Sequence, residues 1–582
     1  MLPAARSKLL RRRIRWLQVL VWLAGALLCG RLAYLQIWEA DHLGKLARAQ
    51  RTKRIDLASL RGEIVDRNGQ ELAVSVEAWS VYAQPAELKA SPAVIAAKLS
   101  PLVGISPQKL AETLRDRHWC WIARQQENAV AQQVRALKLA GIGLVRETRR
   151  VYPKGELAAT LIGFVGIDNQ GLAGIEHDFD KLLKGPPRYL DIQVDAMGRE
   201  ILRESNDSPL DILLTDGARV TLTLDEIIQH QAQYLLQQAI ANLGAQAGSV
   251  IVLDPHNGDV LAFATLPTYD PNLRQKVDLT LTRNSAVSSV FEPGSTLKPF
   301  TVAAALEAGV ITTESVIDCP PRLTIGNQTI GDHDPPPSVR RLAVPQIIQV
   351  SSNVGTAQIG MRMSDKVQRS LLERIGFGRS TDSGMGGESA GLLPKLPWRP
   401  INHATISYGQ GISVTALQLV TAECIFANGG YRIRPRLIRK IVAPDGRMIA
   451  DFPPAPPQRV LSPHVVTAMG KMLRKVTETG GTGAAARIPG YQVAGKTGTA
   501  QKVNADGRGY SNDVVASFVG YAPAEHPRIV VLASLDSPKY AHFASQTAAP
   551  LFRDVAAASL RVLGALPDPA VNMPGGLYHA TD

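Results

Sequence analysis

The stretch Glu-Pro-Gly-Ser-Thr-Leu-Lys-Pro at residues 292–299 places a serine one helical turn before a lysine. Residues three apart lie on the same face of a helix, so the Ser295 hydroxyl and the Lys298 amine are expected within hydrogen-bonding reach. The Pro-Gly pair before Ser295 favours a helix that begins there, where backbone N–H groups without partners can stabilise an oxyanion. The stretch therefore predicts a serine nucleophile with a lysine base.

The same spacing occurs in Ser-Pro-Gln-Lys at residues 106–109, so Ser-x-x-Lys alone decides nothing. Ser106 is expected to cap a helix whose first residue is a proline. Only Ser295 is followed by Ser-Ser-Asn at 351–353 and then by Lys-Thr-Gly-Thr at 496–499. Each later motif by itself is typical of a helix cap or a strand end. Together, in this order, the three motifs predict an acyl-transfer site.

The two later motifs supply the remaining groups of such a site. Ser351 is placed to relay a proton between Lys298 and an amine, and Asn353 to hold Lys298 or a substrate amide. Lys496 is expected to favour a carboxylate substrate and to lower the pKa of Lys298 by repulsion. Gly498 lacks a side chain, which is expected to let a substrate backbone lie along the strand.

The positive charge of the chain is local and marks a membrane segment. Residues 1–60 hold 12 Lys or Arg against 3 Asp or Glu, a net +9 of the total +13, which argues against a nucleic-acid partner. The charge flanks an apolar run that predicts a transmembrane helix over 14–38. By the positive-inside rule the basic tail, 1–13, stays in the cytoplasm and the rest of the chain lies outside. The alternative is a cleaved signal peptide, since Ala-Gly-Ala at 24–26 is a possible cleavage site.

A chain of 582 residues is expected to form two or three domains besides this helix. We place a non-catalytic α+β module at 39–215, a second domain at 216–566, and a flexible tail rich in proline and glycine at 567–582. Asn-Gly at 68–69 predicts a hairpin turn in the first module. Some of its charged residues are candidates for one buried polar network: Arg61, Asp66, Arg67, Arg149 and Glu176.

Alternating and periodic segments predict the order of elements in the second domain. Asp225 is expected to cap a helix over 226–242, and Asn-Gly at 257–258 to turn an antiparallel hairpin. Three more strands are expected to complete one antiparallel sheet, on which a helix packs at 551–563. These strands are placed near 491–497, 514–520 and 529–533.

No metal or cofactor is predicted. Asp-His-Asp at 332–334 has the residue types of a metal site, but it runs into three prolines and is interpreted as a solvated turn. The four cysteines are widely spaced and lack a zinc pattern. Buried free thiols and a single Cys319–Cys424 disulfide both remain open.

The three motifs are those of class A β-lactamases and penicillin-binding proteins, with Ser-x-Asn in place of Ser-Asp-Asn. The chain as a whole resembles the monofunctional class B penicillin-binding proteins, and its short first module and single anchor are similar to the division-specific FtsI type. The resemblance rests on residues 61–73, 149–153, 174–180, 222–225, 283–284, 292–299 and 493–499. It implies an α+β protein in which an elongated pedestal (the dimerisation-type domain) follows the transmembrane helix. A transpeptidase domain then combines an antiparallel sheet flanked by helices with an all-helical subdomain.

The resemblance also implies an activity, D,D-transpeptidation of peptidoglycan during septal cell-wall synthesis at the bacterial inner membrane. Ser295 would attack the D-Ala-D-Ala amide of a stem peptide, and β-lactams would acylate the same serine. Backbone N–H groups of Ser295 and Thr499 would form the oxyanion hole, while the Thr497 and Thr499 hydroxyls bind the terminal carboxylate. Implied partners are a polytopic glycosyltransferase and other division proteins.

Two segments depart from the FtsI-type pattern. Gln410 stands where an aromatic residue is usual, and the segment around His542 replaces a Tyr-Gly-Gly sequence, so the affinity for particular β-lactams is open. Four alternative functions are an elongation-type transpeptidase, a penicillin sensor, a division scaffold without activity and a secreted β-lactamase. The last would have about half this length, and the sensor would carry several membrane helices.

Overall fold

The computed structural model describes residues 3–57, 60–115, 119–185, 188–194, 200–202, 217–504 and 509–567. Apart from Pro567, the predicted flexible tail lies outside the described residues. The chain divides into two compact units, one of residues 1–59 and 186–215, the other of residues 60–185 and 216–582.

The first unit begins with a long helix, Pro3–Ala33, that continues through a π-helical turn, Tyr34–Trp38. Its stretch Arg12–Trp38 has 27 residues, a mean hydropathy of 1.6 and exposed side chains. Such a stretch is about 40 Å long, enough to cross a hydrocarbon core of roughly 30 Å. The described residues contain one helix of this kind, as the predicted membrane anchor requires.

A helix and a small sheet complete the first unit. The helix is Ala40–Arg51. The three strands are hydrogen-bonded in the order Thr52–Leu57, Arg188–Val194 and Glu200–Leu202, with antiparallel pairing.

The second unit contains a mixed sheet built from both halves of the sequence. Its strands are Ile64–Val65, Glu71–Ala83, Cys120–Gln126, Ile142–Val151, Arg219–Leu222, Ile438–Val442 and Met448–Asp451. Three helices accompany it, Pro92–Val103, Pro107–Thr113 and Asn128–Ala136, with a core that includes Val81 and Leu99. The predicted turn at Asn68–Gly69 is confirmed, and Ser106 accepts from the Lys109 N–H as a helix cap.

A five-stranded antiparallel sheet forms the centre of the second unit. In hydrogen-bonded order its strands are Val260–Leu266, Ala247–Leu253, Ile529–Asp536, Tyr510–Ala522 and Ala494–Val503. The first and last helices of the domain, Glu226–Leu243 and Ala548–Val562, pack against it through one apolar core. The predicted Asp225 cap, hairpin and single sheet are confirmed, and the cap and the hairpin each depend on a local sequence signal.

A further group of helices, between residues 285 and 477, packs around a second apolar core. They are Ser285–Ser288, Lys298–Glu307, Val344–Gln349, Asn353–Met361, Asp365–Ile375, Pro400–Ser407, Ala416–Ala427 and Pro463–Thr477. Three two-stranded pairs accompany them: Val316–Cys319 with Arg340–Ala343, Arg322–Ile325 with Gln328–Gly331, and Tyr431–Arg432 with Gln458–Arg459. The remaining short helices are Ala159–Ile162, Gly174–Asp178 and Asp180–Lys184 and the 3-10 turns Pro85–Glu87, Arg274–Lys276, Leu279–Thr282, Gly294–Leu297 and Ala484–Ala486.

A buried ionic network ties together three segments of the second unit. Arg61 donates to Glu176 at 2.5 Å and to Asp180 at 2.6 Å, and Arg150 donates to the other Glu176 oxygen at 2.7 Å. The side chains of Arg61, Arg150 and Glu176 are fully buried. Tyr152 also donates to Glu176, and burial raises the pKa of its phenol. The predicted network therefore exists around Arg61 and Glu176.

Two other candidates for this network have different partners. Arg149 pairs with exposed Glu127, while its neighbour Arg150 takes the buried place. Asp66 accepts from the Asn68, Gln70 and Glu226 N–H groups instead. All four cysteines are free, Cys319 and Cys424 both buried, so the buried-thiol alternative is the one the structure supports.

Glu423 is a buried carboxyl in the helix Ala416–Ala427, with neither oxygen hydrogen-bonded within the described part of the chain. Burial raises its pKa from 4.5 to about 8. The folded protein therefore holds a proton there that the unfolded chain loses above pH 4.5, and stability falls as the pH rises towards 8. We expect a loss of about 1.4 kcal/mol per pH unit in this window.

Replacing Glu423 with glutamine should remove this pH dependence. The quantity to compare is the free energy of unfolding of Glu423→Gln minus that of the wild type. This difference should be roughly 2 to 3 kcal/mol larger at pH 8 than at pH 6. Urea unfolding of the full chain in detergent at the two pH values measures the difference, with exposed Glu478→Gln as the matched control. An equal change in both variants would contradict the assignment.

Candidate active site

Ser295 lies in the 3-10 turn Gly294–Leu297 that leads into the helix Lys298–Glu307. Gly294 has φ +53°, and its N–H donates to the Gly409 carbonyl at 3.0 Å. A Cβ on Gly409 would lie 2.0 Å from the Gly294 oxygen, so only glycine allows this close backbone contact. The contact holds the turn of Ser295 in place, while the Ser295 side chain remains partly exposed.

Lys298 is the first residue of that helix and is fully buried. Its Nζ donates to the Ser351 carbonyl at 2.5 Å and to the Ser351 Oγ at 3.1 Å. Burial lowers the Lys298 pKa to about 7, partly opposed by the charge of Asp332. An amine with this pKa is neutral in a large fraction of molecules near pH 7, as a general base requires.

Ser351 adopts φ +60°, a left-handed conformation that is strained for a residue other than glycine. The turn is followed by the helix Asn353–Met361, whose Gly355 N–H is capped by the Ser352 hydroxyl at 3.0 Å. The side chain of Asn353 donates to the Gly331 carbonyl at 3.0 Å. The structure therefore brings Ser351 to Lys298, while Asn353 contacts the neighbouring hairpin.

Lys496 lies in the edge strand Ala494–Val503 and is also fully buried. Its Nζ donates to the carbonyl and the hydroxyl of Thr497, both at 3.1 Å. Burial, followed by repulsion from Lys298, holds the pKa of Lys496 well below its usual value. The predicted lowering of the Lys298 pKa is thus confirmed, but burial rather than repulsion by Lys496 is its cause.

The two predicted carboxylate-binding threonines lie on the same strand. Thr497 shares a hydrogen bond of 2.9 Å with the Thr482 hydroxyl. Thr499 is exposed, and its Oγ accepts from the Ala544 N–H at 3.1 Å. Because Thr499 accepts there, its own O–H remains available to donate to a ligand.

Gly498 packs directly against the turn that carries Ser295. A Cβ on Gly498 would lie 2.8 Å from Thr296 Cγ2, 2.8 Å from Ser517 Oγ and 3.1 Å from the Pro293 oxygen. The glycine is thus required by the close approach of the strand to the turn, a reason that the sequence did not provide.

Polar and aromatic groups lie beside the motif residues, at the rim of the site. Glu292 accepts from the Gly411 N–H at 2.8 Å and from the Tyr510 hydroxyl at 3.1 Å. Burial raises the pKa of Glu292 above its usual value. On another part of the rim the rings of His333 and Phe543 are 4.8 Å apart. Within the described ranges there is no group of three His, Cys, Asp or Glu side chains that could hold a metal.

Two family models match the chain. The model of the penicillin-binding protein transpeptidase domain matches residues 248–557, and that of the penicillin-binding protein dimerisation domain matches residues 56–212. The chain is 34% identical to the peptidoglycan D,D-transpeptidase FtsI of Escherichia coli K12 over 94% of this chain and 91% of the relative. It is 35% identical to the probable peptidoglycan D,D-transpeptidase PenA of Neisseria gonorrhoeae over 93% and 91% of the two chains.

The chain belongs to the class B penicillin-binding proteins. Among solved structures it is similar to penicillin-binding protein 3 of Mycobacterium tuberculosis complexed with aztreonam, with 30% identity and a TM-score of 0.69. That match covers 90% of this chain and 100% of the other. The predicted family and its α+β architecture are therefore confirmed.

Some neighbours of the site in this class B protein carry no motif of their own. Asp332 and Thr482 contact the two later motifs, and Glu292 orders the rim beside Ser295. Asp332 stands in the Asp-His-Asp stretch interpreted from the sequence as a solvated turn, whereas its carboxylate accepts from Ser352 and Val354. Thr482 belongs to no motif, and only the fold brings these two residues to the site. Glu292 stands inside the quoted 292–299 stretch, but its contacts with Gly411 and Tyr510 are equally long-range.

Proposed function

We propose that Ser295 is the nucleophile of peptidoglycan D,D-transpeptidation in this penicillin-binding protein and that Lys298 is its base. The observation that carries the proposal is a buried lysine one turn after the serine, with a pKa of about 7 and a hydrogen bond to Ser351. The second motif serine, Ser106, caps a helix on which no comparable base is buried among the described residues.

In the first half-reaction neutral Lys298 takes the proton of Ser295 as Oγ attacks the carbonyl carbon of the D-Ala-D-Ala amide. The backbone N–H groups of Ser295 and Thr499 stabilise the tetrahedral oxyanion. Ser351, hydrogen-bonded to Lys298, passes the proton to the leaving amine. The amide C–N bond then breaks, D-alanine leaves and an ester joins the peptide to Ser295.

The substrate carboxylate binds at the edge strand. Thr499 has a free O–H that can donate to it, and Thr497 is held beside Lys496. A nearby carboxylate favours the charged form of a buried lysine, so substrate binding should raise the pKa of Lys496. Lys496 therefore supplies positive charge when the substrate is in place.

In the second half-reaction the amine of another stem peptide attacks the ester carbonyl. Ser351 and Lys298 accept its proton and return one to Ser295 as the C–O bond breaks. A peptide cross-link forms and the free enzyme is restored. The relative complexed with aztreonam supports the proposal that β-lactams acylate the same serine here.

We place the catalytic domain in the periplasm and the basic N-terminal tail in the cytoplasm, because the positive charges precede the apolar helix. From the 34% identity to a peptidoglycan D,D-transpeptidase FtsI, we propose a role in septal cell-wall synthesis, with a polytopic glycosyltransferase and other division proteins as partners. Depletion with microscopy tests this role. Filamentous cells are expected, whereas rounded cells would indicate elongation.

A fluorescent penicillin tests the chemistry directly. The purified full chain in detergent should become labelled, and mass spectrometry of its peptides should place the adduct on Ser295 and not on Ser106. The label should persist for minutes or longer. Release within seconds would indicate a β-lactamase, and an unlabelled protein would indicate a scaffold without activity.

A further inference from the structure

Asp332 joins the end of a hairpin to the turn that carries Ser351. It follows the strand Gln328–Gly331, and its Oδ2 accepts from the Ser352 hydroxyl at 2.8 Å. Its Oδ1 accepts from the Val354 N–H at 3.0 Å, in the first turn of the next helix. The carboxylate thus satisfies a helix N-terminus from outside the helix, where a negative charge is also favoured by the helix dipole.

This attachment holds a strained conformation at the site. Ser351 keeps φ +60°, and both its carbonyl and its hydroxyl accept from Lys298 Nζ. Strained residues persist where the surroundings fix them from several sides. The position of the lysine relative to Ser351 therefore depends on the anchoring of this turn by Asp332.

Asp332 also acts on the base through its charge. Among the described residues, the charged group that acts on Lys298 is Asp332, at the hairpin end, while Lys496, in the edge strand, is itself affected by the charge of Lys298. Burial disfavours the protonated form of Lys298, and the charge of Asp332 favours it. The carboxylate thereby keeps the lysine basic enough to take a proton from a serine.

We propose that Asp332 is a positioning residue of the acyl-transfer site, one that fixes the Ser351 turn and supplies a negative charge that acts on Lys298. The inference deepens the proposed function and rests on the roles proposed for Ser295, Lys298 and Ser351. Asp332 reaches the reacting atoms only through Lys298 and the Ser351 turn.

The pH dependence of acylation separates the effect of the Asp332 charge from the effect of its hydrogen bonds. The experiment measures the second-order rate constant for labelling by a fluorescent penicillin as a function of pH, using the full chain in detergent. In the wild type the rate should rise through about 7 as Lys298 loses its proton. Asp332→Asn keeps the acceptor for Val354 but loses the charge, so its acid limb should lie lower by about 1 pH unit. Asp334→Asn, the same change at an exposed carboxylate two residues away, should leave the acid limb unchanged.

Two further variants isolate the positioning effect. Asp332→Ala removes the hydrogen bonds as well, so its plateau rate should also fall by about 10- to 100-fold. Asp332→Glu keeps the charge on a longer side chain and should retain the wild-type acid limb with a reduced plateau. This second comparison remains informative if Asp332→Asn does not fold.

The possible outcomes distinguish this inference from the proposed function. Acid limbs that coincide in Asp332→Asn, Asp334→Asn and the wild type would overturn the role of the charge. A plateau for Asp332→Glu equal to that of the wild type would overturn the positioning role. A merely structural role would reduce folding without moving the acid limb. An unlabelled wild type would instead reject the proposed function itself.

Discussion

Replacement of Lys298 by methionine is expected to slow the acylation of Ser295 by a β-lactam about 10³-fold or more. Methionine has a similar volume and suits a buried site. The decrease in acylation rate is therefore caused by the missing amine and not by altered packing. The remaining hydroxyl would have to attack without a base one turn away. Stopped-flow measurement of penicillin labelling under single-turnover conditions gives the rate constant.

The matched control is Lys502→Met, a change of the same kind on the edge strand that carries Lys496. Lys502 is partly exposed and pairs with Asp536 at 2.8 Å. Its variant should label at the wild-type rate. If Lys298→Met stayed within tenfold of the wild type, the base would have to be another group, and Lys496 would be the next to test.

The three motifs could be recognised in the sequence because each one is associated with a local structure. The Pro-Gly pair starts the turn of Ser295, and Ser352 caps the helix that follows Ser351. The hairpin at Asn257–Gly258 and the cap at Asp225 are equally local signals. Three local signals in one order indicated the site even before the fold could show that the motifs meet.

Long-range contacts were beyond such reasoning. Asp332 lies 20 residues before Ser352, and nothing in the sequence pairs them. The need for glycine at 498 arises from Thr296 and Ser517, which reach it from a different turn and a different strand. These contacts follow from how the sheet packs on the helices, which no short motif records.

The buried network shows a different limit of the sequence analysis. The sequence of a strand alone does not show which of two successive side chains faces the interior. Successive side chains of a strand point to opposite faces, so a shift of one residue exchanges the buried and the exposed arginine. The sequence analysis placed Arg149 in the network, whereas the structure buries Arg150. The segment was assigned to the network correctly. Which of its two arginines faces the interior, however, depends on the register of the strand with its neighbour.

Replacement of Glu176 by glutamine is expected to lower the free energy of unfolding by about 3 to 5 kcal/mol. Glu176 is fully buried and accepts from both Arg61 and Arg150. Glutamine is nearly isosteric, but it leaves the charge of Arg150 in the interior without its carboxylate, whereas Arg61 retains Asp180. Urea unfolding of the full chain in detergent measures the change.

Two comparisons separate the destabilisation caused by the buried charge from any general effect of replacing a glutamate. Glu127→Gln breaks the exposed pair with Arg149 and should leave stability nearly unchanged, since exposed pairs contribute little. Adding Arg150→Met to Glu176→Gln removes the uncompensated charge and should restore part of the lost stability. Equal destabilisation by Glu176→Gln and Glu127→Gln would refute the buried-charge explanation. A double variant less stable than Glu176→Gln would show that the hydrogen bonds of Arg150 to the Arg61 and Gly62 carbonyls matter more than its charge.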